Sequence, residues 1–277
     1  MRSALSIVFL AMAVLLSACS EKKPETAKPE PVVQLQAADS TGIRPANFVW
    51  GSEKHPMISF YFQPNDSLRQ IAPSLLRKSL EIYEFACQAL QWTTPEPVEF
   101  YCFEDVKTLE MYTSRREPFL AGNKIYYGYG PPFGRVFAEF VMSRLPEGES
   151  KFEFIREGTP MLLDYTGRNY HQATFNFLSD GSISPVADLT NNEEYLKLHA
   201  TKRAIEASSL VAYIMWEWGY VKFMQVYHSD KDFDEAFKEA TGVDVAQLEK
   251  QWHAFMPEHT DEKEAEREAA AKQGGGS

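Results

Sequence analysis

The chain has 277 residues, with 28 Lys+Arg against 39 Asp+Glu and a formal net charge of −11. Its 44% hydrophobic and 13% aromatic content excludes a wholly disordered chain, and the absence of a basic stripe excludes a nucleic-acid backbone as the main partner. Fifteen Gly and sixteen Pro without a period exclude collagen-like and solenoid arrays, and three Cys exclude a disulfide-built miniprotein.

In chain order, Arg2 supplies a positive start and residues 4–16 form an uncharged apolar run. The run is too short to span a bilayer and ends in small residues, so 1–18 reads as a secretory signal. Residues 19–45 carry prolines and alternating charge, with no aromatic between Cys19 and Phe48, and read as a flexible tether. The folded unit is expected over 46–257.

Within it, 57–62 alternates in hydropathy and is aromatic-rich, which predicts a strand. Asp66 or Ser67 can cap a helix whose Leu76, Leu80, Tyr83, Cys87 and Leu90 recur at 4-3-4-3 spacing as one buried face. Pro95 and Pro97 break the chain before a second strand, 98–103, with Val98, Phe100 and Cys102 on one side. Cys87 and Cys102 thus face inward from neighbouring elements. A disulfide and two buried thiols are both open on this reading.

A third strand is expected over 123–129, loosened at its end by Gly128 and Gly130. Pro132 opens a helix with a buried stripe of Phe133, Val136/Phe137, Phe140/Val141 and Leu145, and residues 146–150 end it. Another helix covers 152–165. From about 193 the pattern is helical, with breaks near Gly219, at Ser229-Asp230, and at Gly242 with Asp244 as the next cap. Residues 258–277 hold no aromatic or large aliphatic side chain, and read as a charged, disordered tail with a frayed helix over 262–272. The order predicts an α+β fold: a small N-terminal sheet with one packed helix, then a mostly helical half.

Two resemblances add to this. Leu16-Ser17-Ala18-Cys19, placed behind the apolar run, resembles the lipobox of bacterial lipoproteins. It implies that Cys19 becomes the lipidated (palmitate-bearing) first residue, a plain signal peptide cleaved nearby being the alternative. Two or more acyl chains anchor stably without a transmembrane helix. Ser20 after the cysteine implies sorting to the outer membrane of a Gram-negative host, facing the periplasm.

The second resemblance is carried by Phe137-Ala138-Glu139-Phe140-Val141-Met142, by Phe154-Ile155-Arg156-Glu157-Gly158-Thr159-Pro160, and by the C-terminal stretch from Ser208 through Tyr220, Asp232 and Gly242 to Trp252. Over about 57–256 the chain resembles the gluzincin metallopeptidases, specifically the peptidase-MA-like domains of bacterial envelope proteins. In active members a helix carries His-Glu-x-x-His, two histidines one turn apart bind zinc, the Glu is the general base, and a Glu of the next helix is the third ligand.

The resemblance places Ala138 and Met142 where the histidines stand. Ala138 has no donor atom, and Met142 offers a thioether unsuited to zinc. His55, His171, His199, His228, His253 and His259 show no ligand-type pairing at i, i+3 or i, i+4. Glu139 and Glu157 are then vestigial, with no catalytic residue, metal or other cofactor expected. Two cleft-facing carboxylates need a cation, for which Arg135, Arg156 or Lys124 can serve. Tyr126, Tyr127, Tyr129, Phe133 and Arg135 are the candidate peptide-binding residues at the cleft edge, ordinary core packing being the alternative for the aromatics. The expected function is a lipid-anchored envelope pseudopeptidase that binds a peptide or an envelope protein, and the rival is an active metal-dependent hydrolase with a non-standard site.

Overall fold

The computed structural model describes residues 49–146 and 148–274, with side chains to Arg267. The signal segment, Cys19 and the tether lie outside the described residues.

The chain opens with strands β1 (Gly51–Lys54) and β2 (Ile58–Phe62), followed by helix α1 (Asp66–Ala89), β3 (Val98–Phe103), α2 (Val106–Thr113), β4 (Phe119–Ala121) and β5 (Lys124–Gly128). Helices alone follow: α3 (Gly134–Met142), α4 (Glu153–Leu162), α5 (Tyr170–Ser179), α6 (Val186–Thr190), α7 (Asn192–Lys197), α8 (Ala200–Tyr227), α9 (Phe233–Thr241) and α10 (Val245–Phe255). A 3₁₀ turn, Met256–His259, leads into α11 (Asp261–Gly274). This is the α+β order that the sequence predicts.

The five strands lie in the order β1-β2-β3-β5-β4, with β2, β3 and β5 parallel and the two outer strands antiparallel to their neighbours. Parallel strands are covered on both faces, and the sequence shows it. On one face Ile58, Phe60, Val98, Phe100, Cys102, Ile125 and Tyr127 join the main core beneath α1 and α3. On the other, Trp50, Tyr101, Phe103, Phe119 and Tyr126 form a second, smaller core with Leu109 of α2. That second face holds four rings in ladder register across β2, β3, β5 and β4. Tyr61 stacks on Tyr101 at 4.8 Å, Tyr101 on Tyr126 at 5.2 Å, and Tyr126 on Phe119 at 5.1 Å, all within 17° of parallel. Offset stacks of this kind add to burial and stiffen neighbouring strands.

Two expectations are corrected, and one left open is resolved. The cap of α1 is Asn65, whose Oδ1 accepts from the Leu68 backbone N–H at 2.7 Å, and not Asp66 or Ser67. The buried stripe is Leu68, Ala72, Leu75, Ser79, Ile82/Tyr83 and Ala86/Cys87, so Leu76 and Leu80 sit on its flank. Cys87 and Cys102 are free buried thiols. α1 runs back along the sheet, so Cys87 lies beside Met57 and Pro95 at the start of β3, while Cys102 pairs with Phe62 and Tyr127 near its end. The four residue steps from Val98 to Cys102 separate those ends by ~13 Å, beyond the reach of a disulfide. Burial pushes the Cys87 thiol up to about 11 and the Cys102 thiol up to about 12.

The folded unit also runs past 257. Asn169 Nδ2 donates to the His259 carbonyl at 3.0 Å and to Asp261 Oδ1 at 2.9 Å, and Gln172 Oε1 accepts from the Asp261 N–H at 3.2 Å. The start of the expected tail is therefore tied to α5. Gly219 breaks α8 with φ 80°, ψ 166°, and Asp244 caps α10, as the sequence reading has it. Among the described residues no helix is long and apolar enough to cross a membrane.

Candidate functional site

Two glycines set the positions of the helices that carry the site. A Cβ at Gly134, the first residue of α3, would stand 1.9 Å from the Asp164 carbonyl oxygen. A Cβ at Gly158 in α4 would stand 2.7 Å from the Ala207 carbonyl carbon and oxygen in α8. Only glycine permits either approach. Tyr127 helps from the sheet: its hydroxyl donates to the Pro131 carbonyl at 2.9 Å and accepts from the Gly130 N–H at 3.0 Å, closing the turn before α3.

With α3 and α4 so placed, Glu139 and Glu157 line one cavity of about 480 Å³. Its lining is unusually ionic. Arg115, Arg135, Arg156 and Arg203 face Glu139, Glu149, Glu153 and Glu157, while Phe119, Leu120 and Met142 supply apolar wall. Phe119 and Leu120 belong to the edge strand β4, so the cavity lies between the sheet edge and the helical half.

Each carboxylate has its cation. Arg135 Nε donates to Glu139 Oε1 at 2.8 Å one turn along α3, and Arg135 Nη1 reaches Met161 Sδ at 3.7 Å. Burial works against the Arg135 charge, but Glu139, and after it Glu157 and Glu117, outweigh this and hold its pKa above the ordinary value. Glu157 is met from further off: Glu157 Oε2 accepts from Arg203 Nε at 3.0 Å and from the Tyr195 hydroxyl at 2.7 Å. Tyr195 is buried, and burial first, then the hydrogen bond to the Glu157 carboxylate, raises its pKa. Arg156 turns away from its neighbour Glu157 and pairs with Glu153 at 2.9 Å and Glu149 at 3.3 Å.

Zinc does not fit these residues. Ala138 is fully buried and has no donor, no histidine lines the cavity, and Glu139 and Glu157 are both engaged by guanidinium groups. Among the described residues no group of three or more His, Cys, Asp or Glu could hold a metal ion.

Of the residues singled out at the cleft edge, Arg135 lines the cavity, and so does Met142, which stands at one of the two expected ligand positions. Tyr126, Tyr127 and Phe133 do not: they are 1%, 2% and 4% exposed and belong to the two cores. The strand alternates, so successive tyrosines point to opposite faces, and both faces here are covered. Tyr129 is 43% exposed but lies outside the cavity lining, as does Lys124. Arg203 is not legible as a site residue from the sequence, because its partner is 46 positions away. A signal for it existed: Arg203, Ala207, Leu210 and Ile214 share one helical face, and an arginine on an apolar stripe needs a carboxylate.

The sequence matches no family model and no curated protein. Among solved structures the chain is similar to an M1 zinc metallopeptidase from Deinococcus radiodurans, with 10% identity, a TM-score of 0.45, and coverage of 80% of this chain and 52% of that one. The chain therefore spans about half the length of that protein.

Proposed function

We propose that the chain is a lipid-anchored bacterial envelope protein whose domain is a zinc-free, gluzincin-like pseudopeptidase, holding a peptide or an envelope protein partner in the cleft between α3 and α4. The anchor is Cys19, and the protein faces the periplasm from the outer membrane. The observation that carries the reading is the ionic pairing of the two carboxylates. Where a metallopeptidase of this class needs imidazoles beside its Glu, this chain has Ala138 and Met142, and guanidinium groups neutralise Glu139 and Glu157. Arg135, 2.8 Å from Glu139 Oε1, stands where a zinc-bound water would have to meet that carboxylate. The cavity nevertheless stays open, with an apolar wall beside charged groups, a lining suited to an extended peptide.

The test is elemental analysis of the purified full-length chain after exposure to zinc and removal of excess. Zinc far below one ion per chain, with no chelator-sensitive peptide cleavage, is the expected result. One bound zinc per chain with cleavage abolished by chelation would overturn the proposal in favour of a working hydrolase. Cys19→Ala is expected to move the protein from the membrane to the soluble fraction, because a single acylated residue supplies the anchor. Undiminished membrane association of that variant would remove the lipobox reading.

A further inference from the structure

We infer that Arg115 is the specificity residue of this cleft and receives a carboxylate of the bound peptide, an inference that rests on the binding role proposed above. Of the four guanidinium groups lining the cavity, Arg135, Arg156 and Arg203 each form an ion pair. Together they engage Glu139, Glu149, Glu153 and Glu157, all four lining carboxylates. Arg115 has no ion pair among the described residues.

It is nonetheless held in place. Its guanidinium lies 4.4 Å from the centroid of the Phe119 ring. Phe119 is the last ring of the ladder that runs through Tyr126 and Tyr101 to Tyr61. The backbone is fixed too: Ser114 ends α2 in the left-handed region at φ 59°, and the Arg115 N–H donates to Thr113 Oγ1 at 3.2 Å. A guanidinium held over a ring face by its cationic carbon still has N–H groups to offer to a carboxylate, in bidentate fashion. Phe119, Leu120 and Met142 lie beside it for an apolar side chain next to that carboxylate. In a chain of net charge −11, a lone exposed carboxylate on a peptide finds little attraction elsewhere, so this unpaired cation decides which peptides stay.

The carboxylate can be a chain terminus or an acidic side chain, and three probes separate these. They are acetyl-Leu-Ala-Phe with a free C-terminus, the same peptide as its C-terminal amide, and acetyl-Leu-Glu-Ala amide. Binding to the full-length chain is measured by calorimetry. A terminal carboxylate is expected to make the free acid bind about tenfold or more tighter than its amide, as one charge-assisted pair provides. An acidic side chain as the source puts the third peptide in that place. In either case Arg115→Gln removes the advantage and Arg115→Lys keeps part of it, with unchanged melting temperatures because the side chain is exposed. Equal binding of all three peptides, or an advantage that survives Arg115→Gln, overturns this inference and leaves the binding role standing. No binding of any probe overturns both.

Discussion

The two carboxylates of the cleft are neutralised in different ways. Glu139 meets Arg135 four residues earlier on its own helix, and both side chains remain a third or more exposed. Glu157 meets Arg203 and Tyr195, brought from α8 and α7, and the pair is largely buried. The first is a local pair that any helix with this spacing would form. The second exists only when α4, α7 and α8 are assembled. One side of the cleft is therefore a property of local sequence, and the other a property of the tertiary fold.

The sharpest way to break this comparison is to push the helices apart. Gly→Ala in an unobstructed helix should stabilise by about 1 kcal/mol. Gly134→Ala instead drives a methyl into the Asp164 carbonyl, and we expect a loss of about 3 kcal/mol. Gly158→Ala meets Ala207 less closely and should cost about 2 kcal/mol. Urea midpoints at constant m-value measure both. Stabilisation by either substitution would mean that the helices are not in this contact.

Acid should disturb the α8 side selectively. His171 of α5 is half-buried against α8, its Nδ1 2.9 Å from Ser209 Oγ, which accepts from Trp252 Nε1 at 3.1 Å. Burial, then the nearby His259, pushes the His171 pKa down from 6.5 to about 4. The folded state thus binds fewer protons than the unfolded state between these values. The contribution is complete above about pH 6.5 and is lost as pH falls through about 4. At about 1.4 kcal/mol for each pH unit of displacement it amounts to up to about 3 kcal/mol. Denaturant titrations from pH 7 to 4 should show this slope, and His171→Phe should flatten it. A slope unaltered in the variant would assign the acid sensitivity to other groups.

The same local-versus-tertiary division governs what could be read in the sequence. Strands 57–62 and 98–103, the Phe133-to-Leu145 stripe and the Gly219 and Asp244 breaks were legible because periodicity and capping are local. The Arg135–Glu139 pair was legible for the same reason. Arg203 and Tyr195 were not, because nothing in a linear chain tells which helix face meets Glu157. Tyr126, Tyr127 and Phe133 were open between binding and packing, because alternation gives the two faces of a strand but not whether both are covered. The separation of Cys87 from Cys102 needed the direction in which α1 runs back along the sheet. The short elements α2, β4 and α6 carry too few residues for a period to stand out, and α5 buries only Tyr170 and Thr174, which make no apolar stripe.

A smaller effect isolates the tertiary pair. Arg203→Met leaves the Glu157 carboxylate largely buried, with the Tyr195 hydroxyl as its remaining donor. Removing one partner of a partly buried pair strands the other charge, and we expect a loss of about 2 kcal/mol. Glu157→Gln on that background should recover part of it, since a neutral amide has no charge to strand. A loss below about 0.5 kcal/mol would mean that solvent already screens this pair as it does the other.

The smallest effect is the most diagnostic for the comparison. Arg135→Gln removes an exposed i,i+4 pair in which the cation precedes the carboxylate, the less favourable order on a helix. Such pairs contribute about 0.3–0.5 kcal/mol, and salt reduces that further. If Arg135 serves Glu139 alone, the loss should stay below about 0.5 kcal/mol and shrink in 0.5 M salt, taken as roughly a 4 Å screening length. Yet Arg135 also feels Glu157 across the cavity. A double-mutant cycle between Arg135→Gln and Glu157→Gln separates the two cases. Coupling near zero leaves Arg135 a local partner. Coupling of about 1 kcal/mol or more would make it a clamp joining both sides of the cleft, and the distinction between a local and a tertiary pair would then fail at the residue that was easiest to read.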